Sequence, residues 1–277
     1  MSLTLDREFD FTVRDFERIR KLIHGRAGIA LADSKEEMVY SRIARRLRSL
    51  GLDSFGDYLD RLERGGDADE WQAFTNALTT NLTSFFREAH HFDVLRELLA
   101  QRPRGHRARI WCAAASTGEE PYSLAITACE AHATLAPPVD ILATDIDTQV
   151  LATAERGVYL VERIDKLSES RRKRFFLKGK GSAEGLCRVA PPLRELLTFR
   201  PLNLLDAAYP MRGPFDAIFC RNVMIYFDKP TQLAVLQRMV PLLARDGLLF
   251  AGHSESFFHA GDLIRPVGRT IYRRADA

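Results

Sequence analysis

The first third of the chain carries apolar residues at helical spacing and no strand pattern. In the segment MVYSRIARRLRSLG, apolar residues from Val39 to Leu50 recur every three or four positions, which predicts an amphipathic helix. Gly51 follows as a C-cap signal. RGGDAD at 64–69 predicts a loop. We therefore expect a small all-helical domain over residues 1–78.

Beyond about residue 100, short apolar runs alternate with longer helical segments. Five runs are predicted to be strands, at 109–115, 139–145, 197–203, 215–222 and 247–253. Helices are predicted at about 122–133, through Val150 and Ala154, and at about 231–243. Apolar strands separated by helices indicate a parallel sheet covered on both faces. The final segment LIRPVGRTIYRR predicts a closing hairpin around Gly268.

One stretch interrupts this alternation. Residues 171–200 begin with the basic run RRKRFFLKGKG and contain GKGSAEG, with glycines flanking short apolar pieces. This pattern predicts a β-hairpin inserted between elements of the main sheet. The second domain is therefore expected over 79–277, with an antiparallel β-subdomain at about 171–200.

Composition excludes several classes of protein. The 277 residues carry 40 basic and 37 acidic side chains, so the net charge is only +3 and any basic patch must be local. The four cysteines lie far apart, which supports neither a metal site nor a disulfide framework. MSLTLDREFD lacks an apolar signal core, and no stretch approaches the roughly 20 apolar residues of a membrane span. We expect a cytoplasmic protein without membrane insertion.

The turn after the first predicted strand is a candidate ligand site. AAASTGEEPYSLA contains small residues and Gly118, and a helix is expected to start near Pro121. Such a turn lets a nucleotide-like ligand approach the backbone. Without Gly-Lys-Ser/Thr a polyphosphate is not expected, and the acidic pair Glu119 and Glu120 suits a cationic or hydroxylated ligand. A tight turn with carboxylates at a helix N-terminus explains the segment equally well.

Polar residues follow other strands of the same sheet. Asp145 ends the second strand, where an acid can accept both hydroxyls of a ribose, although a turn role is the alternative. Asp147 is expected to cap the next helix. Asn222 follows the fourth strand, and Asn203 can supply an amide to an adenine edge. The carboxyl ends of these strands should form one crevice.

The linker TTNLTSFFRE before the sheet is polar and then abruptly aromatic. Arg87 could neutralise a carboxylate, while Asn81 and Thr83 offer short hydrogen-bonding groups. A capped helix start with two core phenylalanines is the alternative. His253, after the fifth strand, is a weaker candidate for catalysis and better explained as a polar strand-end residue.

Taken together, TTNLTSFFREAHHF, WCAAASTGEEPYSLA, ATDIDTQVL, PLNL and FDAIFCRNVMIYFD resemble the chemotaxis receptor methyltransferase family, CheR. The resemblance runs from about residue 10 almost to the C-terminus. It implies a small helical domain followed by a Rossmann-like methyltransferase domain that carries an inserted antiparallel β-subdomain. It also implies S-adenosylmethionine as cofactor, with S-adenosylhomocysteine as product.

The same resemblance implies roles for individual residues. Arg87 and Tyr226 would be catalytic, with Tyr226 near the transferred methyl group. The family motif implies one glutamate contact with the cofactor, which either Glu119 or Glu120 could make, and we assign it to Glu120. The implied cofactor residues are Asn81, Thr83, Arg87, Glu120, Asp145, Asn203, Leu204, Arg221 and Asn222. No metal ligand is implied.

The expected activity is methyl transfer to glutamate side chains of chemotaxis receptors. A glutamate carboxylate is already ionised at neutral pH, so no strong general base is required. One alternative is a regulator or scaffold that binds the cofactor without transfer. A second is a nucleic-acid methyltransferase that uses the Arg42 face, but the chain lacks an Asn-Pro-Pro-Tyr/Phe motif after the fourth strand.

Two surfaces are predicted to dock the receptor. Arg42, Arg45 and Arg46 lie opposite the apolar stripe of their helix and would meet a carboxylate-bearing receptor helix. The hairpin around GKGSAEG, residues 179–185, is predicted to be a docking site separate from the active site, and Arg188 on the following strand would meet an acidic peptide. In some CheR members, which the loop here resembles, the β-subdomain captures a tail at the receptor's C-terminus. A structural flap that shields the cofactor is the alternative. The expected partners are methyl-accepting chemotaxis receptors, with no nucleic acid, and the protein is expected to be a monomer.

Overall fold

The computed structural model describes residues 7–65 and 67–277, so expectations for the first six residues and for Gly66 lie outside the described residues. The described residues form two compact units. One comprises the chain up to Thr80 together with Tyr226–Asp228, and the other comprises Asn81–Ile225 together with Lys229–Ala277.

The first unit is all-helical, as predicted. Its described residues form the helices α1 Val13–Ala27, α2 Glu36–Leu50, α3 Phe55–Glu63 and α4 Ala68–Leu78. The α2 stripe of Val39, Ile43 and Leu47 is fully buried. Gly51 ends α2 with φ 65° and donates its N–H to the carbonyls of the last turn, which confirms the C-cap.

The second unit contains two sheets within residues 81–277. Their strands are β1 Ala108–Cys112, β2 Val139–Asp145, β3 Val158–Leu160, β4 Phe176–Lys178, β5 Leu186–Val189, β6 Leu197–Pro201, β7 Phe215–Phe219, β8 Leu243–Phe250, β9 Ile264–Gly268 and β10 Ile271–Arg274. The larger sheet has the order β6-β2-β1-β7-β8-β10-β9. Its first five strands are mutually parallel, and β10 is antiparallel to β8 and to β9. The predicted parallel sheet and closing hairpin are confirmed.

The helices of the second unit are α5 His90–Ala100, α6 Glu119–Ala131, α7 Thr148–Arg156, α8 Glu169–Phe175, α9 Pro191–Arg194 and α10 Lys229–Met239. Among them, α6 and α7 pack against strands of the larger sheet, whereas α8 packs against β4 of the smaller one. Every residue of β7 is buried, as expected for a central strand with both faces covered. Asp147 caps α7 by accepting the N–H groups of Gln149 and Val150, as predicted.

The helix predicted to run to residue 243 ends earlier, at Met239. Pro241 explains the difference, because proline has no N–H to donate and disfavours helical backbone at the preceding residue. A short 3-10 turn follows, and β8 begins at Leu243, four residues before the predicted strand.

The smaller sheet is the inserted antiparallel β-subdomain, with strand order β3-β5-β4. The predicted hairpin is β4 and β5, joined through residues 179–185. Sequence analysis missed β3, which comes earlier in the chain and pairs with β5. It also missed α8, which forms from the basic run that precedes β4.

Across residues 7–65 and 67–277, the structure contains no helix with the length and apolar character needed to cross a membrane.

Candidate cofactor and active site

The carboxyl ends of four adjacent parallel strands collect the predicted polar residues at one edge of the sheet. Strand β1 lies between β2 and β7, and β6 lies on the far side of β2. Asp145 ends β2, and the turn containing Gly118 follows β1. Asn203 follows β6, and Asn222 follows β7. This shared edge is where open α/β sheets bind ligands.

Asp145 is held in place by backbone hydrogen bonds. Its side chain accepts the N–H groups of Ser116 at 2.8 Å and Asp147 at 2.9 Å, and the residue is only 8% exposed. Burial raises the pKa of Asp145 to about 6, although the backbone N–H donors oppose that rise. The carboxylate is therefore mostly ionised at pH 7 and about half protonated near pH 6.

The turn after β1 brings backbone close to its neighbours. Gly118 has φ 100°, and a Cβ at this position would lie 2.7 Å from the Tyr159 hydroxyl and 2.8 Å from the Ala154 Cβ. Only glycine fits both the backbone conformation and the space. Helix α6 starts at Glu119, so Pro121 lies in its first turn, as predicted.

The two glutamates of this turn have different partners. Glu119 is 1% exposed, forms an ion pair with Arg163 and accepts the Thr117 hydroxyl at 2.6 Å. Glu120 accepts from Arg221 at 2.5 Å. The ion pair with Arg163 holds the Glu119 carboxylate against the segment that follows β3. Of the two glutamates, Glu120 is therefore the one whose carboxylate lies beside a residue at the carboxyl edge of the sheet, Arg221.

Arg221 links three segments around the crevice. Its side chain is 0% exposed and lies 2.5 Å from the Glu120 carboxylate and 3.4 Å from that of Glu88. It also donates to the Arg87 carbonyl at 2.5 Å. The guanidinium therefore ties the linker to α6, and its predicted contact with the cofactor stays a prediction.

Hydrogen bonds anchor the linker to the loops that follow β1 and β2. The Asn81 amide donates to Asp147 at 2.8 Å, and the Asn81 carbonyl accepts the Ser116 hydroxyl at 2.8 Å. The Thr83 carbonyl accepts from Arg163 at 2.9 Å. Arg87 donates to the Leu82 carbonyl at 3.1 Å, and no carboxylate within residues 7–65 and 67–277 forms an ion pair with it. Its positive charge is thus available for a ligand carboxylate.

The remaining predicted residues occupy the loops after β6 and β7. Asn203 accepts the Leu205 N–H at 3.0 Å, which shapes the turn beside Asp145. Leu204 is buried, and its carbonyl accepts from the Tyr209 hydroxyl and from Arg238. Tyr226 lies in the segment that belongs to the helical unit, where its carbonyl accepts the Ala30 N–H at 2.8 Å. The place of Tyr226 near the methyl group stays a prediction.

Of the three α2 arginines predicted to dock the receptor, two are engaged within the helical unit. Arg42 donates to the carbonyl of Ala77 in the last turn of α4 and to that of Thr79 just after the helix. Arg46 forms an ion pair with Glu70, whose side chain is 4% exposed. Arg45 is exposed. Arg188 is also exposed, on the central strand of the smaller sheet.

Both units match family models. A model described as the CheR methyltransferase all-alpha domain matches residues 14–79, and one described as the CheR methyltransferase SAM binding domain matches residues 81–273. The chain belongs to the CheR methyltransferase family. The predicted resemblance, the S-adenosylmethionine cofactor and the methyltransferase activity are thereby confirmed.

CheR relatives extend over nearly the whole chain. Chemotaxis protein methyltransferase 2 of Pseudomonas aeruginosa is 54% identical over 271 residues, which cover 98% of this chain and 96% of the relative. Chemotaxis protein methyltransferase of Escherichia coli is 54% identical over 257 residues, covering 93% and 89%. The solved structure of PKMT2 from Rickettsia typhi has a TM-score of 0.39 and 17% identity, covering 61% of this chain and 26% of that one. So weak a likeness supports no conclusion about the present chain.

Sequence reasoning missed three charged residues of the CheR crevice. Glu88 follows Arg87 in the linker and accepts the His253 N–H at 3.2 Å and its ring Nδ1 at 3.0 Å. Arg163 anchors Glu119, and Glu255 lies buried beyond β8. Local signals exist for two of them, because Glu88 ends the polar-aromatic block TTNLTSFFRE and Glu255 lies in the polar segment GHSES.

Four of the six non-glycine residues with positive φ among the described residues lie in the same region. Phe86, Glu88, Ser116 and Asn222 have φ between 49° and 58°, a region that residues other than glycine rarely adopt. All four lie in the linker or in loops at the carboxyl edge of the sheet. Such conformations persist where surrounding contacts fix them, and they concentrate at functional sites.

Proposed function

We propose that the protein esterifies glutamate side chains on the cytoplasmic helical region of methyl-accepting chemotaxis receptors, acting as a cytoplasmic monomer. The observation that carries this proposal is Arg87. Its guanidinium lies in a linker anchored to the cofactor loops, and no carboxylate among the described residues pairs with it. A cation so placed can hold an incoming carboxylate or that of the cofactor.

The residues present fit S-adenosylmethionine, whose sulfonium supplies an activated methyl group. Asp145 would accept the ribose hydroxyls, and Asn203 would meet the adenine edge. Arg87 would orient a carboxylate that is already ionised at neutral pH, so no side chain has to remove a proton. Catalysis then depends on aligning the carboxylate oxygen with the methyl group, and the family resemblance implies that Tyr226 would lie near that group.

Receptor-bearing membranes and radiolabelled S-adenosylmethionine test this function. The wild-type protein is expected to transfer label that mild base releases as methanol, because carboxyl methyl esters hydrolyse readily under those conditions. Arg87→Ala should lower the rate about 100-fold, since loss of alignment has costs of that order. Its melting temperature should stay near that of wild type, because the hydrogen bond that the Arg87 side chain forms is to a nearby linker carbonyl and it has no ion pair among the described residues.

Other results would contradict the proposal. Cofactor binding without transfer of label would support the regulator or scaffold alternative. Base-stable label on nucleic acid would support the nucleic-acid methyltransferase alternative. A normal transfer rate in Arg87→Ala would remove the proposed role of that residue.

We also propose that α2 docks a receptor helix, now chiefly through Arg45. Arg42 and Arg46 already bind carbonyl groups and Glu70 within the helical unit. They can still contribute positive potential, whereas Arg45 can form a direct pair. Such attraction weakens with salt, because exposed charges are screened beyond about 8 Å at physiological ionic strength.

The β-subdomain supplies the second docking surface that we propose. On one exposed face, Arg188 of β5 lies between Val158 of β3 and Leu177 of β4, its partners in the neighbouring strands. A cation flanked by exposed apolar side chains suits a short acidic peptide with apolar residues. Both β3 and β4 are edge strands that can accept an extended peptide. Tethering by a receptor tail would raise the local concentration of target glutamates to the millimolar range.

Charge reversal at Arg188 tests this docking. Arg188→Glu is expected to weaken binding of synthetic peptides that match receptor C-termini about tenfold, equivalent to about 1.4 kcal/mol. Its affinity for S-adenosylhomocysteine should be unchanged. Arg104→Glu, an exposed charge reversal before β1 and outside the β-subdomain, is the matched control. Equal peptide affinity in the two variants would exclude docking through Arg188.

A further inference from the structure

Glu255 is a buried carboxylate that joins the loops following β7 and β8. It is 5% exposed and accepts four backbone hydrogen bonds. One carboxylate oxygen accepts the N–H groups of Asn222, at 3.0 Å, and Gly252. The other accepts those of Val223 at 3.0 Å and Met224 at 2.8 Å.

Three consecutive N–H groups converge on this carboxylate because of the conformation of Asn222. With φ 58°, Asn222 turns the chain so that the amides of residues 222–224 point to the same place. Such a concave arrangement of amides binds an anion, and here the anion is a side chain of the same protein. Without an acceptor these amides would be left without their hydrogen bonds, and the left-handed conformation would lose its support.

The side chain of Asn222 is constrained as well. A Cβ on Gly252 would lie 2.3 Å from the Asn222 side-chain nitrogen, so the amide group packs directly on the Gly252 backbone. On its other side, the Asn222 amide lies 3.5 Å from Glu88. Glu255 holds the backbone of both loops, and the absence of a side chain at position 252 leaves room for the Asn222 amide.

We infer that Glu255 is a positioning residue of the cofactor site, which acts by fixing Asn222 through the backbone of residues 222–224. This inference rests on the assignment of Asn222 to the cofactor site. Glu255 itself touches neither cofactor nor substrate in this role. Its carboxylate must present both oxygens as acceptors, a requirement that glutamine cannot meet.

Glu255→Gln tests the inference. The amide keeps the size of the side chain but turns an NH₂ group toward two N–H donors. The dissociation constant for S-adenosylhomocysteine, measured by calorimetry, is expected to rise tenfold or more. Each factor of ten corresponds to a loss of about 1.4 kcal/mol in binding free energy. The KM for S-adenosylmethionine should rise with it, whereas kcat at saturating cofactor should change much less.

Asp216→Asn is the matched control for a purely structural effect. Asp216 is also 5% exposed and accepts a backbone N–H, that of Arg109 at 2.8 Å, but it lies near the opposite end of β7. This variant should lose stability to urea and keep the wild-type dissociation constant for S-adenosylhomocysteine. The inference is wrong if Glu255→Gln also loses stability to urea but keeps a dissociation constant for S-adenosylhomocysteine within twofold of the wild-type value.

Gly252→Ala provides a second route that leaves Glu255 intact. The added methyl group should displace the Asn222 amide and weaken S-adenosylhomocysteine binding by a similar factor. If Glu255→Gln fails to fold, this variant decides alone, and unchanged affinity in it overturns the inference. Failure of the wild-type protein to bind S-adenosylhomocysteine would instead overturn the cofactor assignment itself.

Discussion

Replacing Arg221 by methionine is expected to lower the free energy of unfolding by about 3–5 kcal/mol, the usual consequence of removing one partner from a buried ion pair. The Arg221 side chain is fully buried, and the Glu120 and Glu88 carboxylates beside it are 10% and 11% exposed. Methionine fills much of the space but leaves both acids without their shared cation. Urea denaturation followed by circular dichroism measures the change.

Arg107→Met is the control for the Arg221 variant. Arg107 pairs with Asp140 on the surface, where both side chains are more than half exposed, so its loss should change stability by less than about 1 kcal/mol. Equal effects of the two substitutions would show that the buried network does not stabilise the fold.

The dependence of stability on acidic pH should also reveal the contribution of the buried pairs that Arg221 forms with Glu88 and Glu120. Burial is the largest single influence on the pKa of Glu88 and raises it, but hydrogen bonds from His253 and the charge of Arg221 together outweigh burial and lower the pKa from 4.5 to about 2. A lowered pKa in the folded state stabilises the protein above pH 4.5, and that stabilisation is lost as the pH falls toward 2. In Arg221→Met this part of the pH dependence should become smaller.

Replacing Asp145 by alanine is expected to weaken S-adenosylhomocysteine binding by about 1.5–3 kcal/mol, the contribution of hydrogen bonds to a charged group. This corresponds to a loss of about 10- to 150-fold in affinity. Wild-type affinity should also fall as the pH drops through 6, because the folded-state pKa of Asp145 is about 6 and the protonated acid cannot accept both ribose hydroxyls. Calorimetry at pH 7 and pH 5 measures both effects.

Asp140→Ala is the control for the Asp145 variant, because Asp140 lies on the same strand, is exposed and pairs only with Arg107 among its described partners. It should bind S-adenosylhomocysteine as the wild type does and keep the pH dependence. Asp145→Ala should lose that dependence. Unchanged affinity in Asp145→Ala would exclude the ribose contact.

The sequence by itself determined the elements and the layers of this CheR protein. Strands β1, β2, β6, β7 and β8 were predicted because buried parallel strands are short, continuous apolar runs. Interactions within such elements are local, so their pattern is visible in the chain. The exceptions have physical causes: Pro241 ended α10 early, and β3 is three residues long with two exposed side chains, so no apolar run marked it.

The sequence also determined which residues meet at the crevice, because the carboxyl ends of parallel strands share one edge of a sheet. Asp145, Asn203 and Asn222 each end a predicted strand, and they lie at that edge once the strands pair. The family resemblance added the cofactor and the reaction, neither of which spacing alone could identify.

Only the tertiary structure decided which charges pair. Arg221 and Glu120 are 101 residues apart, and Glu255 meets the amides of residues 222–224 across 31 to 33 positions. On α2, helical spacing placed Arg42 and Arg46 on a polar face, but the packing of α4 engaged both of them. An ion pair depends on the distance between two side chains after packing, and periodicity along one element carries no information about the element that will face it.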